Sequence, residues 1–203
     1  MELWTLSEVK PATMLVFMLG GAAFIAAVLA KRFSMARGER AGDATPARRD
    51  PASLAGVVVQ MLGISMAGGP TRIAGHSLLD GLLAPRTLVT AVTIFGAVGL
   101  FFWAARTMGA NWSIVARTRQ DHQLVTSGPF ALVRHPIYLG MLLFLLSLAA
   151  ATGHERALAL AVPVFVIGTL IRTRSEEALL RAQFGEAYLA YAARVKRFIP
   201  WLI

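Results

Sequence analysis

Five long runs without a charged residue do most to limit what this chain can fold into: 11–30, 51–69, 87–105, 136–153 and 157–171. The first four are 18 to 20 residues long, and a helix of that length crosses a hydrocarbon layer about 30 Å thick. The fifth has 15 residues, with Arg156 and Arg172 at its ends. Long basic side chains reach back to the interface and lengthen such a span. One run of this kind fits the middle of a soluble domain. Five of them in 203 residues leave too little polar chain to wrap them. The reading is an all-α chain, a polytopic membrane helical bundle of about five transmembrane helices. Only 15% of the residues are charged, against roughly a quarter in soluble domains.

The net charge of +9 invites a nucleic-acid partner, and its placement argues against one. Segment 31–50 holds Lys31, Arg32, Arg37, Arg40, Arg48 and Arg49; segment 106–135 holds Arg106, Arg117, Arg119 and Arg134. The tail adds Arg172, Arg174, Arg181, Arg194, Lys196 and Arg197. Sixteen of twenty basic residues thus fall on alternate connections, leaving Lys10, Arg72, Arg86 and Arg156 for the other side. The positive-inside rule then puts the N-terminus outside and the C-terminus in the cytoplasm. Such loops suit anionic lipid head groups, and no soluble module presents the charge to nucleic acid. The expected location is a multi-pass integral membrane protein, in a bacterial inner membrane, with its site facing the cytoplasm. Cysteine is absent, so disulfide and thiol chemistry are excluded. The first run follows Glu2 and Glu8 rather than a basic segment, and reads as a retained span, not a signal peptide.

The chain divides at about residue 110. Residues 1–110 carry three spans, with a polar connection between the first two and nothing that suggests chemistry. Gly20-Gly21 and Gly96-x-x-Gly99 are small-residue sites where helices can approach. Residues 70–85, with His76 and Asp80, read as an outer loop or re-entrant turn. Residues 111–203 form the C-terminal region, with a helical hairpin and a cytoplasmic tail. Trp112 suits the interface, and 115–123 read as an extended or looped segment. Pro136 opens the fourth span, Gly153-His154-Glu155-Arg156 makes a tight hairpin, and Pro163 marks a kink in the fifth. A separate helix over 175–194 is expected, capped by Ser175 with Glu176 and Glu177 in its first turn.

The hairpin returns Arg172 and Glu176 to the face where His122, Arg134 and His135 lie. Residues some forty positions apart therefore meet at one depth. Ionisable residues against a membrane span are costly and mark a site, though Arg172 also suits topological anchoring and the glutamates helix capping. A metal site needs clustered ligands, and none is expected here. Ser127 lacks a nucleophile-elbow pattern, and no Gly-x-Gly-x-x-Gly follows a strand.

Several motifs in order change the balance. His122-Gln123-Leu124-Val125, Thr126-Ser127-Gly128-Pro129-Phe130 and Arg134-His135-Pro136-Ile137-Tyr138 are followed by Glu176, Phe184-Gly185-Glu186-Ala187-Tyr188 and Tyr191-x-x-Arg194-Val195. This pattern resembles the isoprenylcysteine carboxyl methyltransferase family over residues 111–200. The resemblance implies an integral membrane enzyme that uses S-adenosylmethionine, with a cytoplasmic C-terminal cofactor-binding region. It implies that His122, Gln123, Leu124, Val125, Phe130, His135, Pro136, Ile137, Tyr138 and Glu176 line the cofactor pocket. Arg172 would face the acceptor, and Arg134, Arg172 and Arg194 would carry catalysis. Phe130 departs from the tyrosine common in the family, which removes a hydroxyl contact but leaves stacking. Lys196 stands where many members have proline.

Methyl transfer suits such a site. A sulfonium already carries a good leaving group, so the enzyme mainly aligns the nucleophile and excludes water. A carboxylate acceptor is ionised at neutral pH and needs no general base. It does need a partner in a low-dielectric site, and arginine gives a paired geometry. The expected function is methylation of a lipophilic acceptor, a carboxylate, that enters from the bilayer among membrane lipids. Phospholipid amines and small thiols are alternatives on the same fold. An NADPH-dependent steroid-type reductase shares Arg134-His135-Pro136-x-Tyr138-x-Gly140, but residues 124–130 and Glu176-Glu177 favour the methyltransferase. A membrane protein with no catalytic activity is the remaining alternative.

Overall fold

Proline opens four of the helices, at Pro11, Pro51, Pro85 and Pro136. Its fixed φ and missing N–H cost nothing in a first turn, where the amide has no intrahelical partner. Glycines with positive φ follow three of the helices: Gly109 at 53°, Gly153 at 74° and Gly185 at 49°. The computed structural model describes residues 3–39, 50–75, 77–109 and 123–199. Helix makes up 77% of it. The helices are α1 (Pro11–Glu39), α2 (Pro51–Met66), α3 (Leu78–Leu82), α4 (Pro85–Met108), α5 (Pro136–Thr152), α6 (Leu158–Phe184) and α7 (Glu186–Arg194).

Among the described residues, three stretches are long and apolar enough to cross a membrane: Pro11–Lys31, Pro85–Met108 and Glu155–Phe184. Helices α2 and α5 are apolar but have 16 and 17 residues, about 24–26 Å at 1.5 Å per residue. The uncharged run 51–69 is longer than its helix because α2 ends at Met66, ahead of Gly68, Gly69 and Pro70.

Two packing centres organise the helices. In one, α4 lies between α1 and α5, with Phe24, Phe101, Ala105 and Ile137 in contact. Thr13 and Thr87 exchange a 2.6 Å hydrogen bond between α1 and α4. In the other, α2 lies against α6, above a core of Ala67, Leu145, Ala149, Ala161 and Phe165. The approach is close because glycines face it. A Cβ on Gly63 would fall 2.6 Å from the Phe165 nitrogen, and one on Gly168 would fall 2.6 Å from the Gln60 nitrogen. A Cβ on Gly56 would collide with the stem of Arg172. Small residues allow such backbone contact between membrane helices. Of the glycines singled out by sequence, Gly20 packs closely on Ile94, whereas Gly21 and Gly99 face open space.

A pair of short parallel strands departs from the all-helical expectation. They are β1 (Ser7–Val9) and β2 (Thr71–Ile73), with Ser7 opposite Thr71. They close one end of the bundle, where Ser7 Oγ donates to the Gly153 carbonyl at 3.1 Å and Thr71 Oγ1 to the Thr152 carbonyl at 3.2 Å. His154 is buried there, its ring nitrogens 2.7 and 3.1 Å from the Thr152 and Thr5 carbonyls. The described residues of 70–85 are thus a strand, a short helix and the start of α4 rather than a plain loop; His76 lies outside them.

The expectation of a separate helix over 175–194 also fails. No separate helix starts at Ser175; α6 runs without a break from Leu158 to Phe184, and the stop comes at Gly185. Nothing between Ile171 and Phe184 breaks a helix, and charged residues leave the backbone ladder intact. Ser175 is mid-helix, and its hydroxyl donates to Asp50, the N-cap of α2. That bond holds the Asp50 carboxyl below its ordinary value.

Candidate active site

At the end opposite the strands, the start of α5 meets the second half of α6 and the tail after α7. Glu177 is the centre of this junction, and it is 2% exposed. Arg134 donates to its Oε1 through Nε at 3.1 Å and Nη2 at 3.0 Å. Arg197 donates through Nε to Oε1 at 3.0 Å and through Nη2 to Oε2 at 2.7 Å. His135 Nε2 lies 3.2 Å from Oε1, and Arg181 Nη2 lies 3.7 Å from Oε2. A buried carboxylate persists only when so paired.

The same contacts dock the tail. Arg134 Nη1 donates to the carbonyls of Ala192 at 2.9 Å and Val195 at 2.6 Å. The Arg134 amide bonds the Lys196 carbonyl at 2.8 Å, and the His135 amide bonds the Arg197 carbonyl at 3.1 Å. Tyr191, buried on α7, donates its hydroxyl to the Phe130 carbonyl at 2.7 Å. Burial and the charge of Glu177 push Tyr188 up to about 12. Burial also raises Tyr191, and hydrogen bonding to Glu177 raises Arg197.

One residue earlier on α6 the surroundings differ. The Glu176 side chain is 24% exposed, takes the Tyr138 hydroxyl bond, and lies 3.7 Å from His135 Nδ1. Arg172, a turn before it, is 7% exposed. Its guanidinium stands 5.0 Å over the Tyr138 ring, with Nη2 3.6 Å from Glu176. Its Nη1 donates at 3.0 Å to Oε1 of Gln60. The result is a fixed buried cation beside a partly open carboxylate, with aromatic walls from Tyr138, His135 and Phe198.

Most of the residues expected from sequence come together here. His135, Tyr138, Arg172 and Glu176 touch one another, Pro136 is the buried first residue of α5, and Phe130 is buried beneath α7. Gln123, Leu124 and Val125 lead into the turn at Gly128–Ala131. His122 lies outside the described residues. Ile137 turns away, toward Phe101 and Ala105 of the α4 side. Arg134 is consumed by Glu177 and the tail carbonyls, so its position is that of a clamp. Arg194 is exposed on α7, bonded to the Ala190 carbonyl at 3.3 Å, and Arg197 rather than Arg194 reaches Glu177. Glu176 does not sit at the positive end of a helix, because α6 continues through it.

Sequence reasoning missed Phe198, Arg197 and Gln60. Arg197 carried no signal beyond a basic tail. Gln60 did carry one: it is the single carboxamide in the run 51–69, where a lone polar side chain among apolar ones calls for a partner. Among the described residues no three His, Cys, Asp or Glu side chains gather as metal ligands.

Residues 88–182 match the family model for the isoprenylcysteine carboxyl methyltransferase (ICMT) family. The cobalt-zinc-cadmium resistance protein CzcN of Cupriavidus metallidurans is 33% identical over 129 residues, 63% of this chain and 56% of that protein. The nickel-cobalt-cadmium resistance protein NccN of Alcaligenes xylosoxydans xylosoxydans is 30% identical over 131 residues, 64% of this chain and 58% of that protein. Protein-S-isoprenylcysteine O-methyltransferase of Schizosaccharomyces pombe is 33% identical over 87 residues, 43% of this chain and 37% of that enzyme. The chain thus spans 37% to 58% of the length of these relatives. Gln60 and Arg197 fall outside residues 88–182, whereas Arg134, His135, Tyr138, Arg172, Glu176 and Glu177 fall inside. Over residues 88–182 the chain is similar to the isoprenylcysteine carboxyl methyltransferase family.

Proposed function

We propose that this chain is an S-adenosylmethionine-dependent methyltransferase that esterifies a lipophilic carboxylate at the cytoplasmic face of a membrane. The observation that carries the reading is the pairing of Arg172 and Glu176, a buried cation and a partly open anion one helical turn apart, at the end of a membrane-length helix. The cofactor's donor set fits these residues. Glu176 offers a carboxylate to its cationic centres, and the His135, Tyr138 and Phe198 rings offer faces to its adenine. Gln123, Leu124, Val125, Phe130 and Pro136 would complete that wall. His122 is proposed there on the family pattern alone.

When bound, the cofactor supplies an electrophilic methyl on a sulfonium. Arg172 would hold the acceptor carboxylate, already ionised, with one oxygen turned to that methyl. An acceptor already ionised would ask no proton transfer of these residues. Tyr138 fixes Glu176 through its hydroxyl and backs the Arg172 guanidinium with its ring. Arg134, Glu177 and Arg197 hold the tail over the start of α5, which keeps water from the reacting atoms. Arg194, exposed on α7, is assigned no step.

All five apolar helices are read as crossing the bilayer, with α2 and α5 extended by their polar flanks. The division at residue 110 is kept, with the first three spans before it and the methyltransferase region, helical hairpin included, after it. The bacterial inner membrane is the proposed location. Single cysteines introduced at positions 42, 120 and 198 should label only from the cytoplasmic side; labelling of 120 from outside removes the topology.

The decisive measurement is ligand binding to detergent-purified protein, followed by label transfer from methyl-labelled S-adenosylmethionine to an S-prenylated, N-acetylated cysteine. Cofactor binding and alkali-labile label are expected. NADPH binding instead would point to the reductase chemistry that shares the Arg134–Gly140 pattern. Label on a phospholipid amine or a thiol would keep the enzyme and change the acceptor.

A further inference from the structure

We propose that the strand end of the bundle is a lipid-binding collar: β1, β2 and α3 seat in the boundary between acyl chains and head groups of one leaflet and complete the short spans α2 and α5. This rests on the reading of all five apolar helices as spans. Helices α2 and α5 have 16 and 17 residues, which rise about 24–26 Å against roughly 30 Å of hydrocarbon. At their far ends the N-caps are Asp50 and His135, polar groups that mark where the hydrocarbon stops. The shortfall therefore falls at the strand end. Helix α2 stops at Met66 and α5 at Thr152, and the strand pair fills the layer that follows.

The surface at this end fits that depth. Away from water, polar groups have to bond to protein. Here the Ser7 amide donates to the Pro70 carbonyl at 3.1 Å, the Ala74 amide to the Val9 carbonyl at 2.8 Å, and the Trp4 indole to the Met66 carbonyl at 3.0 Å. What faces outward is apolar: Leu6, Ile73, Leu79 and Leu83 are 66%, 55%, 77% and 83% exposed, and none of them lies in a span. Gly81 seats α3 on the start of α1, where an added Cβ would fall 3.0 Å from the Ala12 Cβ. Leu83 stands two residues before α4, whose Leu88, Val89 and Val92 are exposed as well. The apolar surface of that span thus continues along the chain into the collar. An exposed Arg86–Glu155 ion pair of 2.8 Å stands beside the same turn, which sets the level at the head groups rather than the hydrocarbon centre. Leucines, a tryptophan and an ion pair at one level are the chemistry of a bilayer interface.

The chain has no cysteine, so Leu6→Cys, Ile73→Cys, Leu79→Cys and Leu83→Cys each place one nitroxide label on the full chain. The labelled proteins are reconstituted into vesicles of phosphatidylethanolamine and phosphatidylglycerol. Relaxation of each label by oxygen, which concentrates among acyl chains, is compared with relaxation by a water-soluble nickel chelate. Val92→Cys, exposed within α4, is the reference for a span. Oxygen should dominate at all five positions, with the four collar labels about 5–10 Å below the phosphates and shallower than the label at position 92. Nickel dominance at positions 79 and 83 with oxygen dominance at 92 overturns the collar and leaves the spans standing. Nickel dominance at 92 as well removes the span reading, and the collar with it. Spectral broadening at the collar that grows with the protein-to-lipid ratio puts a second copy on this surface and also overturns the proposal. Should one collar variant not fold, the other three decide.

Discussion

Glu176 and Glu177 are consecutive residues of one helix, yet they occupy opposite kinds of environment. Glu177 points into a dry junction and is saturated by two arginines and a histidine. Glu176 points along the other side of α6, keeps about a quarter of its surface open, and has a tyrosine hydroxyl and a more distant arginine. A helix turns about 100° per residue, so the two side chains diverge, each meeting a different nitrogen of the His135 ring. The first carboxylate holds the protein together, and the second is available to a ligand. Charge alone does not mark a functional residue; what matters is whether its partners leave anything over.

The comparison breaks most sharply on stability. Glu177→Gln leaves Arg134 and Arg197 with a neutral partner in a buried place, and should destabilise the fold by about 3 kcal/mol. Thermal unfolding in detergent would show this as a lower midpoint, and susceptibility of the tail to protease should rise. A midpoint unchanged from wild type would mean that the junction does not hold the tail. Glu176→Gln should leave the midpoint nearly unchanged and weaken S-adenosylmethionine binding at least tenfold, about 1.4 kcal/mol. Weaker cofactor binding in Glu177→Gln than in Glu176→Gln, in folded protein, would reverse the assignment.

Arg172→Lys sharpens the open side. The charge remains, but the planar fork is lost, so methyl transfer should fall roughly tenfold while cofactor affinity stays near wild type. Loss of cofactor binding with unchanged acceptor affinity would move Arg172 to the other ligand. On the closed side, Tyr191→Phe removes the buried bond to the Phe130 carbonyl and should cost about 1 kcal/mol. The smallest effect is set by pH. Tyr188 is raised to about 12 from an ordinary 10.0, so its neutral form is favoured by folding. That contribution is complete below about pH 10 and is lost as pH rises toward 12, because the unfolded chain releases the proton first. Tyr188→Phe should flatten the alkaline fall in stability over that interval.

The sequence made the apolar helices legible because a run without charge has few alternatives at that length. It made His135, Tyr138, Arg172 and Glu176 legible through their order along the chain, and the α5–α6 hairpin brings them together. Other features depend on packing and are silent in one dimension. Ser175 with two following glutamates reads as a helix start, yet no breaker precedes it, and the helix runs on to Gly185. Gly56, Gly63 and Gly168 look like any membrane-helix glycines until α2 is seen lying on α6. The pairing of β1 with β2 joins segments more than sixty residues apart, and three-residue strands carry too little pattern to be read. Arg194 and Arg197 differ only in register on a basic tail, and the register decides which of them meets Glu177.

The crossing of α2 on α6 also makes the recognisable part of the chain incomplete by itself. Cut away everything before residue 77, and Gly168 would lie bare to lipid, with Thr169 and Arg172 facing hydrocarbon where an amide now stands. Such a fragment would keep every motif by which the family is recognised and lose the surface those motifs lean on. A transplant of residues 88–182 onto another scaffold would have to bring with it a helix carrying small residues and one carboxamide at the spacing found from Gly56 to Gly63.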